Sequence, residues 1–336
     1  MDNVTFASYE VQERSFIAFI KRELHHGAVQ AGFPETKVGA IDIVVSELTS
    51  NQVKHAGSGE LLYRFTKENN VPVLEILALD NGPGIRDITH SMKDGVSTTK
   101  TLGQGLGAME RLSDIFQLYS IPSWGTVSYC RIAAKPESPA NVSDGLQFKV
   151  LNVSKPGETV SGDGCHIMMN RREARILLGD GLGHGPEAHA AANSAIEAFK
   201  RNRDADPVEV LRTIHHQVKK TRGLVGTVVI ADHGEKKWKI CGIGNISTRL
   251  YDGLIPRNYI SYNGIIGLNI PTTLKSHEVD MGKHQCIIMT SDGLRTRWEL
   301  SQFPSILRYD PLVLAAAIYK DNARKNDDMS ILICRT

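Results

Sequence analysis

The sequence predicts a two-domain protein of the α/β (α+β) class. At 336 residues the chain is longer than one average domain. Apolar residues recur at helical spacing in the first third, whereas short apolar strands dominate the second half. A polar stretch with two prolines separates the two patterns. We therefore expect one domain over residues 1–135, a linker over 136–145 and a second domain over 146–336.

The N-terminal third combines predicted helices with two strand pairs. A first helix spans Val11 to Val29, and Phe16, Phe19, Ile20 and Leu24 form its expected buried stripe. The other expected elements are a helix from Val38 to about His55, strands Leu61–Phe65 and Val73–Leu79 with a turn at Glu68–Asn70, a helix Gly105–Ser113, and strands Ile115–Ile121 and Thr126–Ala133. This mixture predicts strands covered by helices.

Strands outnumber helices in the second half. The expected strands are Leu146–Val153, Cys165–Asn170, Glu173–Leu178, Thr227–Ala231, Lys237–Gly242, Thr248–Tyr251, Gln285–Thr290 and Ser330–Cys334. The expected helices are Glu187–Lys200, Pro207–Thr221 and Pro311–Tyr319. This pattern predicts a β-sandwich flanked by helices.

Composition excludes several classes of function. Lys and Arg total 39 against 37 Asp and Glu, so the concentrated basic face of a nucleic-acid or membrane-surface protein is not expected. The five cysteines are scattered, which indicates buried thiols in a reducing compartment and disfavours a zinc site. We find no export signal and no apolar run near the roughly 20 residues that span a bilayer. These features predict a cytoplasmic protein.

Three polar elements in the N-terminal third indicate a nucleotide site. Glu47 and Asn51 lie one helical turn apart and share a face, although a solvated polar face would look the same. Asp80–Gly84 follows an apolar strand and is either a simple turn or a place for close backbone approach to a ligand. Gly103–Gly107 leads into a helix, whose N-terminal amides suit a phosphate.

In this order the three elements resemble the GHKL family of ATP-binding domains, and within it the small anti-sigma-factor-type serine kinases, including the switch kinase of the stressosome. The residues that carry the resemblance are Val45-Ser46-Glu47-Leu48 with Asn51, Asp80-Asn81-Gly82-Pro83-Gly84-Ile85, Asp94-Gly95-Val96-Ser97-Thr98-Thr99 and Leu102-Gly103-Gln104-Gly105-Leu106-Gly107. The resemblance covers roughly residues 1–133 and implies a Bergerat-fold α/β sandwich that binds ATP and Mg²⁺.

The resemblance also implies a role for each matching residue. Asn51 would ligate magnesium, Glu47 would act as general base, and Asp80 would hold the adenine amino group. The glycines that would shape the pocket and cradle the phosphates are Gly82, Gly84, Gly103, Gly105 and Gly107. His55, close to this constellation, is interpreted as structural.

Four acidic turns in the second half indicate a metal site. They are Ser161–Gly164, Gly179–Gly185, Ser291–Gly293 and Asn326–Asp328, each beside an apolar run. One Asp-Gly is usually only a turn, but gathered carboxylates repel each other unless a cation joins them. Oxygen ligands without His or Cys favour Mg²⁺ or Mn²⁺, and two such ions can share a bridging hydroxide and clamp a phosphate.

From about Leu146 onward, these turns resemble the metal-dependent PPM-type serine/threonine phosphatases, in particular the bacterial SpoIIE-type branch. The resemblance implies that Asp180 bridges two metals and acts in catalysis, and that the Gly181 carbonyl contributes to one metal. Asp163, Asp292 and Asp327 would complete the cluster, whereas Asp328 would support it or form a turn.

Several side chains near this pattern keep two interpretations. Eukaryotic members of the family carry a histidine where this chain has Leu182, so His184 is either a substitute acid or a packing residue. Arg171 and Arg172 either contact phosphate or belong to a solvated turn. The pairs His25-His26 and His215-His216 have no acidic or cysteine partner at ligand spacing and are predicted to lie on helix surfaces.

Together the two resemblances imply a bifunctional bacterial signalling protein, a serine kinase fused to a serine/threonine phosphatase. Its partners would be STAS-domain proteins in an anti-sigma or stressosome complex. Two alternatives remain: a phosphatase whose N-terminal half only senses ATP, and a non-enzymatic anti-sigma binding protein.

Overall fold

The computed structural model describes residues 4–88, 105–136 and 145–336. They divide into two compact units, one within Phe6–Asn141 and Ser305–Ala317, the other within Met1–Thr5, Val142–Pro304 and Ile318–Thr336. Gly103 and most of the expected linker lie outside the described residues.

The N-terminal unit contains a five-stranded antiparallel sheet. Its strands are β1 (Ala7–Val11), β2 (Gly59–Glu68), β3 (Val71–Asp80), β4 (Ile115–Ile121) and β5 (Gly125–Ala133), in the order β1-β2-β3-β5-β4. The expected turn between β2 and β3 is confirmed, since Asn69 and Asn70 have φ angles of 49° and 63°. The sequence did not predict β1, because this short edge strand exposes most of its side chains.

Three helices of this unit pack with the sheet: α1 (Arg14–Ala31), α2 (Glu35–Asn51) and α3 (Gly105–Leu112). Ile20 and Leu24 are buried as expected. The prediction that Phe16 and Phe19 are buried is wrong, because they are 45% and 37% exposed. Phe19 packs edge-on against Tyr9 of β1, 5.7 Å between ring centres, so the start of α1 lies at the margin of the sheet.

The C-terminal unit contains two antiparallel sheets of five strands. One has the order β13-β10-β9-β8-β7 and the other β12-β11-β14-β15-β6. The strands are β6 (Gln147–Val153), β7 (Asp163–Met169), β8 (Glu173–Gly181), β9 (Leu224–Asp232), β10 (Lys237–Ile243), β11 (Ser247–Asp252), β12 (Ile255–Tyr259), β13 (His277–Asp280), β14 (Gln285–Thr290) and β15 (Met329–Arg335). The expected eight strands are confirmed, whereas β12 and β13 were missed because they are largely exposed.

A continuous apolar core joins the two sheets, with Trp238, Ile287 and Leu332 among its fully buried side chains. Helices α4 (Pro186–Arg201) and α5 (Pro207–Gln217) cover the first sheet through a second cluster. The last helix is α6 (Pro311–Asn322). The described residues contain no helix that is long and apolar enough to cross a membrane.

The histidine pair on α5 corrects one expectation. His216 is exposed, but His215 is only 9% exposed, and its Nδ1 accepts a hydrogen bond of 3.0 Å from the Gly267 N–H. The prediction that both lie on the helix surface is therefore wrong for His215. It was made from spacing alone, and helix periodicity does not show which loop covers a given face.

Candidate active sites

Strand register brings the first two acidic turns of the C-terminal unit together. Asp163 opens β7 and Asp180 lies near the end of β8, and the two residues are direct partners across the antiparallel pair. Asp163 is fully buried, and Asp180 is partly buried. Neighbouring Cβ atoms across such a pair lie about 4.5–5.5 Å apart. The fold thus places two carboxylates at one end of the first sheet.

The second sheet is joined to this end through Ser291, which follows β14. The Ser291 hydroxyl donates to Asp163 Oδ2 at 2.7 Å and accepts from the Ser330 N–H of β15 at 2.9 Å. Asp292 comes next in the chain, and its Oδ2 accepts a hydrogen bond of 2.8 Å from the Asn245 amide. No sequence pattern indicated Asn245, which lies between β10 and β11.

The turn before β15 contributes Asp327 and Asp328, which have different environments. The two oxygens of Asp328 accept backbone hydrogen bonds from the N–H groups of Lys155 and Gly162, each 2.8 Å long. The carboxylate of Asp328 therefore ties the loop before β7 to the turn before β15. Asp327 is partly buried, and one of its oxygens accepts the Asp328 N–H.

The electrostatics of this cluster agree with cation binding. Burial raises the pKa of Asp163, and the negative charges of Asp328 and Asp292 raise it further. Burial likewise raises the pKa of Asp180, followed by the charges of Asp163, Asp292, Asp327 and Asp328. Carboxylates that destabilise each other's ionised form are the donor set that a hard divalent cation neutralises.

The carboxylates of the described residues do not form a complete coordination site. Within residues 4–88, 105–136 and 145–336, no three His, Cys, Asp or Glu side chains are arranged as a complete metal site. The fit to a metal therefore rests on the chemistry and mutual repulsion of the donors. The roles of Asp163, Asp180, Gly181, Asp292 and Asp327 as ligands remain predictions.

Backbone hydrogen bonds and a close approach to α4 fix the loop that follows Asp180. The Gly181 N–H donates to the Gly162 carbonyl at 3.1 Å, and a Cβ on Gly181 would collide with the backbone carbonyl of Ala188. Leu182 donates its N–H to the Gly223 carbonyl at 3.1 Å. A residue larger than glycine at position 181 would separate this loop from α4.

Two ion pairs that the sequence did not predict flank the loop. His184 Nδ1 lies 2.6 Å from Glu158 Oε1, with the histidine side chain 46% exposed. Arg222 pairs with Glu187 in the first turn of α4. His184 is therefore held by a carboxylate beside the loop that follows Asp180.

Arg171 and Arg172 lie far from the acidic cluster. They form the exposed turn between β7 and β8, whereas Asp163 and Asp180 are paired at the opposite end of that hairpin. Six residue steps along a strand correspond to about 20 Å. This separation favours the solvated-turn interpretation of the two arginines.

In the N-terminal unit, Glu47 and Asn51 lie partly buried in the last two turns of α2. A π-helical turn, Gln52–Ala56, follows directly. The buried Gln52 amide donates to the backbone carbonyls of Glu60 and Leu79 at 2.9 and 3.0 Å. Single π-turns are frequent at functional sites, and this one fixes the end of α2 against β2 and β3. His55 is exposed on the turn.

The turn after β3 passes so close to neighbouring segments that two of its positions require glycine. Asp80 Oδ1 accepts the Gly82 N–H at 2.8 Å. Gly84 has a φ angle of 71°, and a Cβ there would collide with the Ile121 carbonyl. A Cβ on Gly82 would lie 2.8 Å from the Ala56 side chain. The turn thus brings its backbone close to the π-turn and to the end of β4.

The start of α3 meets the end of α2. A Cβ on Gly105 would collide with Glu47 Oε2, so the backbone of Gly105 lies directly against that carboxylate. Gly107 is buried in the first turn of α3. The structure therefore brings Glu47 and Gly105 together, whereas the predicted contribution of Gly103 lies outside the described residues.

Comparison with known proteins gives two family matches in separate parts of the chain. The family described as Histidine kinase-like ATPase domain matches residues 14–127, and the family Stage II sporulation protein E (SpoIIE) matches residues 170–336. The serine/threonine-protein kinase RsbT of Bacillus subtilis (strain 168) is 38% identical over 99 residues, which cover 30% of this chain and 74% of RsbT. The phosphoserine phosphatase RsbX of the same organism is 23% identical over 151 residues, or 44% of this chain and 75% of RsbX.

Two solved structures are also similar. A structure described as "The bacterial stressosome: a modular system that has been adapted to control secondary messenger signaling" has a TM-score of 0.53 at 25% identity, covering 56% of this chain and 99% of that one. RsbX in complex with magnesium has a TM-score of 0.50 at 16% identity, covering 66% and 98%, and shows the fold alone.

These matches identify a kinase-like ATPase domain followed by a SpoIIE-type phosphatase domain. The chain belongs to the histidine kinase-like ATPase family, in which it is related to RsbT, and its C-terminal part is a SpoIIE-type domain.

Proposed function

We propose that the protein is a bifunctional regulator that phosphorylates serine or threonine with ATP and removes phosphate from the same class of side chain. The observation that supports this most strongly is that each unit gathers the catalytic candidates of one reaction. Glu47 lies against Gly105 at the start of α3, with Asn51 one helical turn further along α2, and Asp163 and Asp180 are paired near Ser291. The similarity to RsbT and RsbX supports the same pair of activities.

In the proposed kinase reaction, the chain mainly positions groups and accepts a proton. Asp80 would hold the adenine amino group, and Asn51 would hold Mg²⁺ bound to the ATP phosphates. Phosphoryl transfer depends largely on such positioning and on charge neutralisation. Glu47 would accept the proton of the attacking hydroxyl, a role that requires a carboxylate within hydrogen-bond reach of the substrate.

In the proposed phosphatase reaction, Asp163, Asp180, Asp292, Asp327 and the Gly181 carbonyl would hold two Mg²⁺ or Mn²⁺ ions. When bound, such ions supply a nucleophilic hydroxide and neutralise charge on the phosphoryl group. Ser291 orients Asp163 through its 2.7 Å hydrogen bond. Asp328 closes the loop before β7 by accepting two backbone N–H groups, which keeps the carboxylates gathered.

We propose STAS-domain proteins of a sigma-factor or stressosome system as the substrates. Support comes from the relation to RsbT and from the similarity to a structure described as the bacterial stressosome. If both activities acted on one serine at once, the net result would be ATP hydrolysis. The fusion therefore implies separate substrates or a switch, and equal rates at one shared serine under all conditions would contradict this inference.

The test measures phosphate turnover on a panel of STAS-domain proteins from the same organism, with ATP and Mn²⁺. Glu47→Ala is expected to abolish phosphorylation alone, and Asp180→Ala to abolish dephosphorylation alone. ATP binding by the Glu47→Ala protein is measured in parallel, because retained binding separates a lost base from a misfolded pocket. Dephosphorylation without any phosphorylation by the wild type would instead assign an ATP-sensing role to the N-terminal unit. A tight sigma-factor complex independent of both substitutions would indicate an anti-sigma binding protein.

A further inference from the structure

Two chain segments that adjoin candidate metal ligands run side by side. The Arg295 N–H donates to the Asn322 carbonyl, and the Arg324 N–H donates to the Gly293 carbonyl, both at 2.9 Å. One segment begins directly after Asp292, and the other ends directly before Asp327. These hydrogen bonds hold the backbones of the two segments together, next to two candidate metal ligands.

Three arginines on these segments are exposed: Arg295, Arg297 and Arg324, here named the basic rim. Within the described residues, none of the three forms an ion pair. Arg201, another exposed arginine of this unit, instead lies 3.9 Å from Glu197 in an ion pair. Charges left unpaired on one small surface are available to a partner of opposite sign.

The backbone beneath the basic rim is braced from inside the unit. The Arg249 guanidinium donates to the carbonyls of Thr296 and Trp298, and it lies 4.4 Å from the centre of the buried Trp298 ring. Arg249 therefore fixes the segment that carries Arg295 and Arg297. A braced segment presents its charges without first having to be ordered, which lowers the entropic cost of binding.

The acidic cluster explains why such a surface is useful. Two divalent cations would balance the charge of its four candidate aspartate ligands, so attraction for acidic residues beside the phosphate has to come from outside the metal site. We propose that the basic rim docks acidic side chains that flank the phosphoserine of the protein substrate. This inference rests on the proposed phosphatase activity and adds to it a preference for acidic sequence beside the phosphate.

The experiment uses the full-length protein with Mn²⁺ and three probes: p-nitrophenyl phosphate, a phosphoserine peptide flanked by glutamates, and the same peptide with glutamines. At low ionic strength we expect the wild type to favour the glutamate peptide in kcat/KM by about tenfold, as a few exposed charge contacts provide. The preference should fall steeply with added salt. The double variant R295E/R297E should lose or invert it, while hydrolysis of p-nitrophenyl phosphate stays within about twofold of wild type.

The matched control is R171E/R172E, which makes the same charge change at the far end of the β7–β8 hairpin. This variant should retain the preference for the glutamate peptide. Equal rates of the wild type on both peptides, or a preference that survives R295E/R297E, would overturn the docking surface. An equally large loss of p-nitrophenyl phosphate hydrolysis in R295E/R297E would also overturn the proposal, because it would place these arginines in the catalytic centre. A wild type that hydrolyses none of the three probes would instead refute the proposed phosphatase activity.

Discussion

Replacing Ser291 by alanine tests whether the two sheets share one acidic site. The hydroxyl of Ser291 connects them, because it donates to Asp163 at one end of the first sheet and accepts the Ser330 N–H of the second. All three residues are buried, with exposures of 0–1%. Water therefore cannot replace the lost partner without entering the core.

The expected cost follows from the two hydrogen bonds. A bond to a charged group contributes about 1.5–3 kcal/mol, and leaving a buried N–H without its acceptor costs about 1–3 kcal/mol. Allowing for partial relaxation, Ser291→Ala should lower the free energy of unfolding of the C-terminal unit by about 3 kcal/mol. Loss of a residue that orients a metal ligand typically weakens metal binding by about 10–100-fold.

Hydrogen exchange of the β14 and β15 amides reports the stability of this unit separately from that of the N-terminal unit. Calorimetric titration with Mn²⁺ measures the metal affinity. Ser301→Ala is the matched control, because Ser301 is exposed in the same unit and its hydroxyl donates to the exposed Glu299 at 3.3 Å. If Ser291→Ala matches this control in both amide protection and Mn²⁺ affinity, Ser291 neither joins the sheets nor orients a ligand, and the reasoning fails.

Three further predictions concern both units. Gly84→Ala should abolish ATP binding, measured by titration with an ATP analogue, because its Cβ would collide with the Ile121 carbonyl at a φ of 71°; unchanged affinity would contradict this. Gln52→Ala should lower the free energy of unfolding of the N-terminal unit by about 1–3 kcal/mol, since two backbone carbonyls lose the hydrogen bond that Gln52 donates. Because the pKa values of Asp163 and Asp180 are raised on folding, the metal-free folded state binds more protons, so their contribution to stability should fall as pH rises above the ordinary aspartate value of 3.8. Melting temperatures measured between pH 5 and pH 8 should fall less with rising pH in the Asp180→Asn variant than in the wild type.

Periodicity predicted most of the fold because the buried faces are apolar and regular. The strands that pair in the core, such as β3 and β9, read as near-continuous apolar runs. The strands that escaped prediction, β1, β12 and β13, are short and largely exposed, so little burial distinguishes their sequences from loops. The exposure of Phe16 followed from the position of α1 relative to the edge strand, which is a property of tertiary structure.

The candidate sites were predictable where a backbone conformation requires a particular residue. Gly84 and Gly181 are positions where a Cβ would collide with a backbone carbonyl, so a glycine pattern in the sequence carries real information about them. Gln52 and Asn245 are single polar residues without a pattern, and only the packing of distant segments shows what they hold. The basic rim escaped prediction for the same reason, since its arginines come together through two segments about 30 residues apart in the chain.

The two proposed sites should depend on divalent cations in different ways. Asn51 offers a neutral amide, so Mg²⁺ at the kinase site would be held largely by the ATP phosphates that accompany it. The phosphatase site gathers several aspartates whose charges repel one another, so its ions would bind independently of nucleotide and would also stabilise that unit. Chelation of divalent cations in the absence of nucleotide should therefore loosen the C-terminal unit and leave the N-terminal unit unchanged, which amide exchange measured in each unit would show.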